Sequence, residues 1–129
     1  MERKLKSTTI RVPYTIDEEF ISDLIETASY GMGYFDYDID PTNNVAEERD
    51  YYTEKCASQL FNGGKIILTD NEDDNEYPID LKAFCKGIEK FAKEDADAFA
   101  RVIAHDGSED AFDCWNCIQV IMFGEIIYG

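Results

Sequence analysis

The sequence predicts one α+β domain, a small antiparallel sheet packed against three to four helices. Three observations predict it. The chain has 129 residues, with 44% hydrophobic residues including 8 Phe, 8 Tyr and 1 Trp, which suits a single core. Residues 65–79 read as strand, polar turn and return strand. Several further stretches carry apolar residues at helical spacing behind capping residues. Neither an internal repeat nor a linker composition divides the sequence, so residues 1–129 read as one unit.

Thr8-Thr9-Ile10-Arg11-Val12 alternates and is β-branched, which predicts a strand. Thr15-Ile16-Asp17-Glu18 has capping-box spacing, with Thr15 as cap and Glu18 reaching back. The helix behind it buries Phe20, Ile21, Leu24, Ile25 and Ala28, and Gly31 ends it. From Gly31 to Asp40 aromatic or aliphatic residues alternate with polar ones, an irregular strand that gives way to a loop at Pro41. Tyr51 to Phe61 is helical, with Tyr52, Cys56 and Leu60 on one face and Gly63-Gly64 as the stop.

Lys65 to Asp70 is the first arm of the hairpin, and Glu76 to Ile79 is the second, placed at a sheet edge by Pro78. Asp80 caps a helix with Leu81, Phe84, Cys85, Ile88 and Phe91 inward and Lys82, Lys86, Lys90 and Lys93 outward. Ala96 to Ala104 forms a further short helix. Asp110 caps the last helix. Its apolar residues Phe112, Trp115, Ile118, Val120, Ile121 and Met122 wrap so widely that the helix is expected at the centre of the fold. Gly124 closes it, and Ile126-Ile127-Tyr128 adds a final strand.

Charge narrows the function classes. The formal net charge is -16, the wrong sign for contact with nucleic-acid phosphates. It is uneven: residues 1–12 hold Arg3, Lys4, Lys6 and Arg11 against Glu2, while the rest of the chain carries 8 basic and 27 acidic side chains. No apolar run approaches the ~20 residues of a membrane span, and no apolar stretch of a signal peptide follows Met1 to Lys6. The expectation is a cytoplasmic chain with no membrane contact, whose cysteines, Cys56 and Cys85 among them, are reduced core residues.

Asp36, Asp38, Asp40 and Glu47 fall at positions 1, 3, 5 and 12 of a calcium-loop spacing, which makes a Ca²⁺-binding module an alternative function. Position 6 is Pro41, where that loop needs glycine, and proline does not reach φ > 0. Cys114-Trp115-Asn116-Cys117 has C-x-x-C spacing, but neither Cys56, Cys85 nor His105 supplies a second pair at zinc-ligand spacing, and a redox motif would need a βαβ context. The plainer expectation is one buried and one half-exposed thiol. His105 and Cys114 show no nucleophile–base spacing. No catalytic residue and no cofactor is therefore expected.

Acidic clusters remain: Asp70, Glu72, Asp73, Asp74 and Glu76 around the hairpin turn; Asp36, Asp38 and Asp40; Glu94, Asp95 and Asp97; and Asp106, Glu109, Asp110 and Asp113. The first three groups are the candidate binding residues. A folded chain of this size exposes roughly 7,000 Å², or about one net charge per 440 Å². Duplex DNA carries one per ~1.7 Å of axis, roughly one per 110 Å² at a radius of about 10 Å. Imitation of a nucleic-acid backbone therefore requires the acids to gather on one face.

Two stretches carry a family resemblance. One runs from Gly63-Gly64 through Lys65-Ile66-Ile67-Leu68-Thr69-Asp70, the acidic turn and Tyr77 to Leu81–Ile88. The other joins Asp113-Cys114-Trp115-Asn116-Cys117-Ile118 to Phe123-Gly124-Glu125-Ile126-Ile127-Tyr128-Gly129. They resemble small acidic uncharacterised proteins of bacteriophages and prophages, over roughly half the chain. That resemblance brings no catalytic residues with it. It implies an inhibitor of host defence, of anti-CRISPR or anti-restriction type, whose partner is the basic surface of a host nucleic-acid-binding protein or complex. A structural or assembly protein whose acidity serves solubility is the third expectation.

Overall fold

The computed structural model describes residues 3–30, 33–104 and 111–129. The elements follow in the order α1 (Glu18–Ser29), β1 (Phe35–Ile39), a 3-10 turn (Pro41–Asn43), α2 (Tyr52–Phe61), β2 (Ile66–Asp70), β3 (Glu76–Ile79), α3 (Leu81–Glu94), α4 (Ala96–Ala104) and α5 (Ala111–Phe123). The architecture is α+β, with five α-helices and one antiparallel sheet in the order β1-β2-β3 among the described residues. Gly31, His105, Asp106, Glu109 and Asp110, with their expected roles as helix stop, lone imidazole, acidic group and helix cap, lie outside the described residues.

Asp17, not Thr15, caps α1: its carboxylate accepts from the Phe20 amide at 2.9 Å. Asp ranks above Thr as a cap, and this start also places Glu18 and Glu19 in the first turn, at the positive end of the helix dipole. Phe20, Ile21, Leu24, Ile25 and Ala28 are buried as their spacing requires. At α2 the Tyr51 amide donates to Glu54 Oε1 at 3.1 Å. Cys56 and Leu60 are buried, whereas Tyr52 stays 42% exposed. Asp80 caps α3 through the Ala83 amide, and its four lysines all face solvent. Cys85 is only half-buried, a correction to its expected place in the core.

The strand register sorts the sheet's two faces. Phe35, Tyr37 and Ile39 pair with Asp70, Leu68 and Ile66, and Ile66 and Leu68 pair with Ile79 and Tyr77. This face is turned inward, with Phe35 stacked on Trp115 of α5 at 5.4 Å and Tyr77 edge-on to Phe123 at 5.2 Å. α5 packs against α1, α3 and α4, which makes it the central helix its wide apolar girth predicts. Phe112 is the exception, 47% exposed. Gly87 lets α3 cross α5 closely: a methyl group there would stand 2.6 Å from Ile121 Cα. Arg101 grips Asp113 with two bonds, Nε to Oδ2 at 2.7 Å and Nη2 to Oδ1 at 3.0 Å, and so ties α4 to α5.

Two expected strands do not form. Thr8–Val12 is exposed and pairs with no strand among the described residues. Ile126–Tyr128 is held by a side chain instead of a neighbouring strand. Gln119, wholly buried in α5, accepts from the Ile127 and Tyr128 amides at 3.0 and 2.8 Å and donates to the Tyr128 carbonyl at 3.2 Å. Gln59 of α2 does the same for the loop after the 3-10 turn. It accepts from the Val45 amide at 2.8 Å and donates to the carbonyls of Asn43 and Lys65 at 2.7 and 3.1 Å.

Candidate functional site

The sheet's outer face gathers candidate acids from two separate stretches of sequence. Asp36 and Asp38 alternate with the inward Phe35, Tyr37 and Ile39, so both point out. Asp36 pairs with Thr69, and Thr69 pairs with Glu76, which sets Asp36–Thr69–Glu76 as one row across the sheet. Asp36, Asp38 and Glu76 are all exposed. Asp40 extends the same alternation, and Lys65 stands beside it at the end away from the hairpin turn. The Asp40 carboxyl is held below the usual carboxylate range, chiefly by the Thr42 amide, then by the Thr42 hydroxyl. Asp38 accepts from the Tyr52 hydroxyl and from the Ile39 amide.

At the hairpin tip the five expected acids divide. Asp70 does not project: it is 1% exposed, accepting from the Tyr128 hydroxyl at 2.7 Å and from the Glu72 amide at 3.0 Å. It shares strand parity with Ile66 and Leu68, so its side chain enters the core and builds the turn from below. Asp73 accepts from both the amide and the side chain of Asn75 at 2.9 Å, and Asp74 holds φ of 59°. Both are exposed, yet they also shape the turn. Glu72 is exposed without such a duty.

Glu94, Asp95 and Asp97 lie apart, at the junction of α3 and α4. Asp95 accepts from the Ala98 amide at 3.0 Å as the cap of α4, Asp97 sits in that helix's first turn, and Glu94 stands 3.8 Å from Lys90. The structure therefore joins Asp36, Asp38 and Glu76 with the turn acids Glu72, Asp73 and Asp74, and leaves this third group elsewhere. Glu47, the twelfth residue of the calcium-loop spacing, pairs with Arg49 at 2.9 Å. Among the described residues no three His, Cys, Asp or Glu side chains converge as a metal site. Cys114 and Cys117 are both buried, where a half-exposed partner was expected, and burial raises the Cys117 thiol's pKa.

Sequence reasoning missed a second acidic concavity. An open cavity of about 430 Å³ between α1 and α2 is lined by Glu18, Glu19, Asp23, Glu26 and Glu54, with Arg49 at its rim. Arg49 meets Glu47 at 2.9 Å and Glu18 at 3.5 Å. The available signal was the polar face of α1, where acids fill the positions opposite Phe20, Ile21, Leu24 and Ile25. No helix among the described residues is long and apolar enough to cross a membrane.

Thiols and phenols with raised pKa values link stability to alkaline pH, Tyr128, Tyr52 and Cys56 among them. The Tyr128 hydroxyl is raised from 10.0 to about 12, first by donating to Asp70 and then by burial. Burial, then the bond to Asp38, raises Tyr52 from 10.0 to about 12, and burial raises Cys56 from 9.0 to about 12. Between the unfolded and folded values the folded state holds more protons, so stability falls as pH rises. The stabilisation is expected to be complete below pH 9 and lost by about pH 12. Urea midpoints measured across that range in wild type and Tyr128→Phe check this. A wild-type midpoint that is flat over the range contradicts it.

Comparisons of the chain with protein-family models, with curated proteins and with solved structures found no match.

Proposed function

We propose that this chain is a phage-type acidic binding protein that inhibits a bacterial nucleic-acid-handling defence complex, of anti-CRISPR or anti-restriction type, in the host cytoplasm. It acts by occupying a basic DNA- or RNA-binding surface of that complex and carries out no chemistry of its own. The observation that carries the reading is the density of carboxylates on the outer sheet face. Spread over 8480 Å² of surface, a net charge of -16 is one per about 530 Å². That is roughly five times more dilute than the ~110 Å² per phosphate estimated for duplex DNA. Three strands about 4.8 Å apart, two of five residues and one of four, make a face of roughly 220 Å². Asp36, Asp38 and Glu76 on that face give about one carboxylate per 75 Å², of the order of the DNA value. The turn acids prolong it beyond the sheet. The defence-complex part of the reading rests on the phage-protein resemblance and is analogy.

Asp36 and Glu76 make the best test, because neither shapes a turn or caps a helix. Reversing both to Lys is expected to leave the stability within about 0.5 kcal/mol of wild type. Pull-down from bacterial lysate should retain a basic nucleic-acid-handling protein that elutes as ionic strength rises past about 0.15 M. The double reversal should weaken that contact tenfold or more, mainly through a slower association rate. Binding that ignores both salt and the reversal would point to an apolar protein–protein surface. Loss of no activity at all would leave solubility as the role of the acidity.

A further inference from the structure

The segment from Arg3 to Thr15 is an exposed arm without helix or strand. Leu5 is 84% exposed, Ile10 76% and Val12 75%, so its apolar side chains are spent on solvent. Tyr14 ties the arm to the body through edge contacts with Phe20 and Phe99, at 6.0 and 5.9 Å. The β-branched run Thr8–Val12 is thus ready for pairing and, among the described residues, has no strand beside it.

The sheet has one edge suited to receive such a strand. The Asp40 amide bonds Lys65 at 3.0 Å and the Tyr34 carbonyl accepts from Asn71 at 3.1 Å, so Tyr34, Asp36, Asp38 and Asp40 turn their backbones toward β2. Alternation then turns the backbones of Phe35, Tyr37 and Ile39 off the open edge of β1. The Ile39 amide is taken by the Tyr52 hydroxyl at 3.0 Å; the others have no backbone partner among the described residues. The opposite edge is poorer, because Pro78 of β3 has no amide hydrogen to give.

We infer that the arm is a donor strand: Thr8–Val12 of one copy adds to the β1 edge of a second copy. The two segments are each five residues long. In the added strand Thr8, Ile10 and Val12 share one face and cover the half-exposed Tyr37–Tyr52 pair at the edge. Thr9 and Arg11 share the other face and stand beside Asp36 and Asp38. Arg3, Lys4 and Lys6 add charge opposite in sign to the acidic strand, which identifies the chain itself as a fitting partner for its own arm. Exchange in both directions closes a two-fold dimer. This assembly stands independently of the proposed target.

The test is sedimentation equilibrium of the full chain over a concentration series, with amide exchange read at residues 8–12. Wild type should rise in mass from one copy toward two, with those amides protected only in the dimer. Thr9→Pro with Ile10→Pro removes one edge-facing amide whatever the register, and should weaken the dimer at least tenfold while leaving the helical circular dichroism unchanged. Arg11→Glu should weaken it too, and Asp36→Lys should restore part of the loss. Three results would overturn the inference: a wild type still monomeric at about 1 mM, a dimer indifferent to the two prolines, or arm amides protected in dilute monomer.

Discussion

Trp115→Ala is expected to destabilise the fold by about 3–5 kcal/mol. Trp115 is 1% exposed and lies in a layer of rings: Phe35 at 5.4 Å, Tyr34 at 5.4 Å and Tyr128 at 6.3 Å. Its removal opens a cavity where α5, β1 and the C-terminal tail meet, and three rings lose their partner at once. Domains of this size are stable by about 5–15 kcal/mol, so the variant should lose roughly a fifth or more of its stability. Its melting temperature should fall by roughly 10–20 °C. Phe112→Ala is the control on the same helix. Phe112 is 47% exposed, and its loss should cost no more than about 1 kcal/mol. Chemical denaturation of the two variants checks both figures. A Trp115→Ala protein with wild-type stability would mean that the ring layer contributes nothing.

Gln119→Leu should have the next largest effect, and of a different kind. The leucine fits the volume, but the Ile127 and Tyr128 amides and the Tyr128 carbonyl lose their partners together. Each buried backbone group left unmade costs about 1–3 kcal/mol. The tail has a cheaper outcome, which is to leave for water. The expected result is therefore a detached tail with the rest of the fold standing, at about 2–3 kcal/mol below wild type. The Tyr128 hydroxyl then leaves Asp70, and part of the alkaline loss of stability should vanish with it. Amide exchange at Ile127 and Tyr128 reads the detachment directly. Amides that stay protected in Gln119→Leu would show that the tail is anchored by its side chains alone.

Much of this fold is written in local patterns. The hairpin of β2 and β3, the Asp80 cap and the bounds of α4 follow from alternation, turn residues and a capping aspartate. What local pattern misses is where a partner stands. Thr8–Val12 and Ile126–Tyr128 have the composition of strands, but a strand also needs a neighbouring backbone. Gln119 stands in for that neighbour at the tail, and among the described residues no strand stands beside Thr8–Val12 within one copy. The two buried glutamines gave no signal, since Gln is ordinary on a helix and their partners lie in irregular loops. Asp70 is the reverse case. Its parity with Ile66 and Leu68 marked it as inward, and the pull of the acidic turn concealed that. Asp36 and Asp38 were legible as one face of a strand. Their meeting with Glu76 depended on the register of β1 against β2, which the sequence of neither strand specifies.

The acid-lined cavity between α1 and α2 gives dissolved salt two opposed effects. Glu18, Glu19, Asp23 and Glu26 of α1 crowd together there with Glu54 of α2, so in dilute buffer like charges repel one another, chiefly along α1. Added ions screen that repulsion and favour the folded state, and the same ions loosen any contact made by the outer sheet face. Fold and contact thus respond to ionic strength with opposite sign. A partner released at high salt leaves behind a firmer protein, so its departure cannot be put down to unfolding.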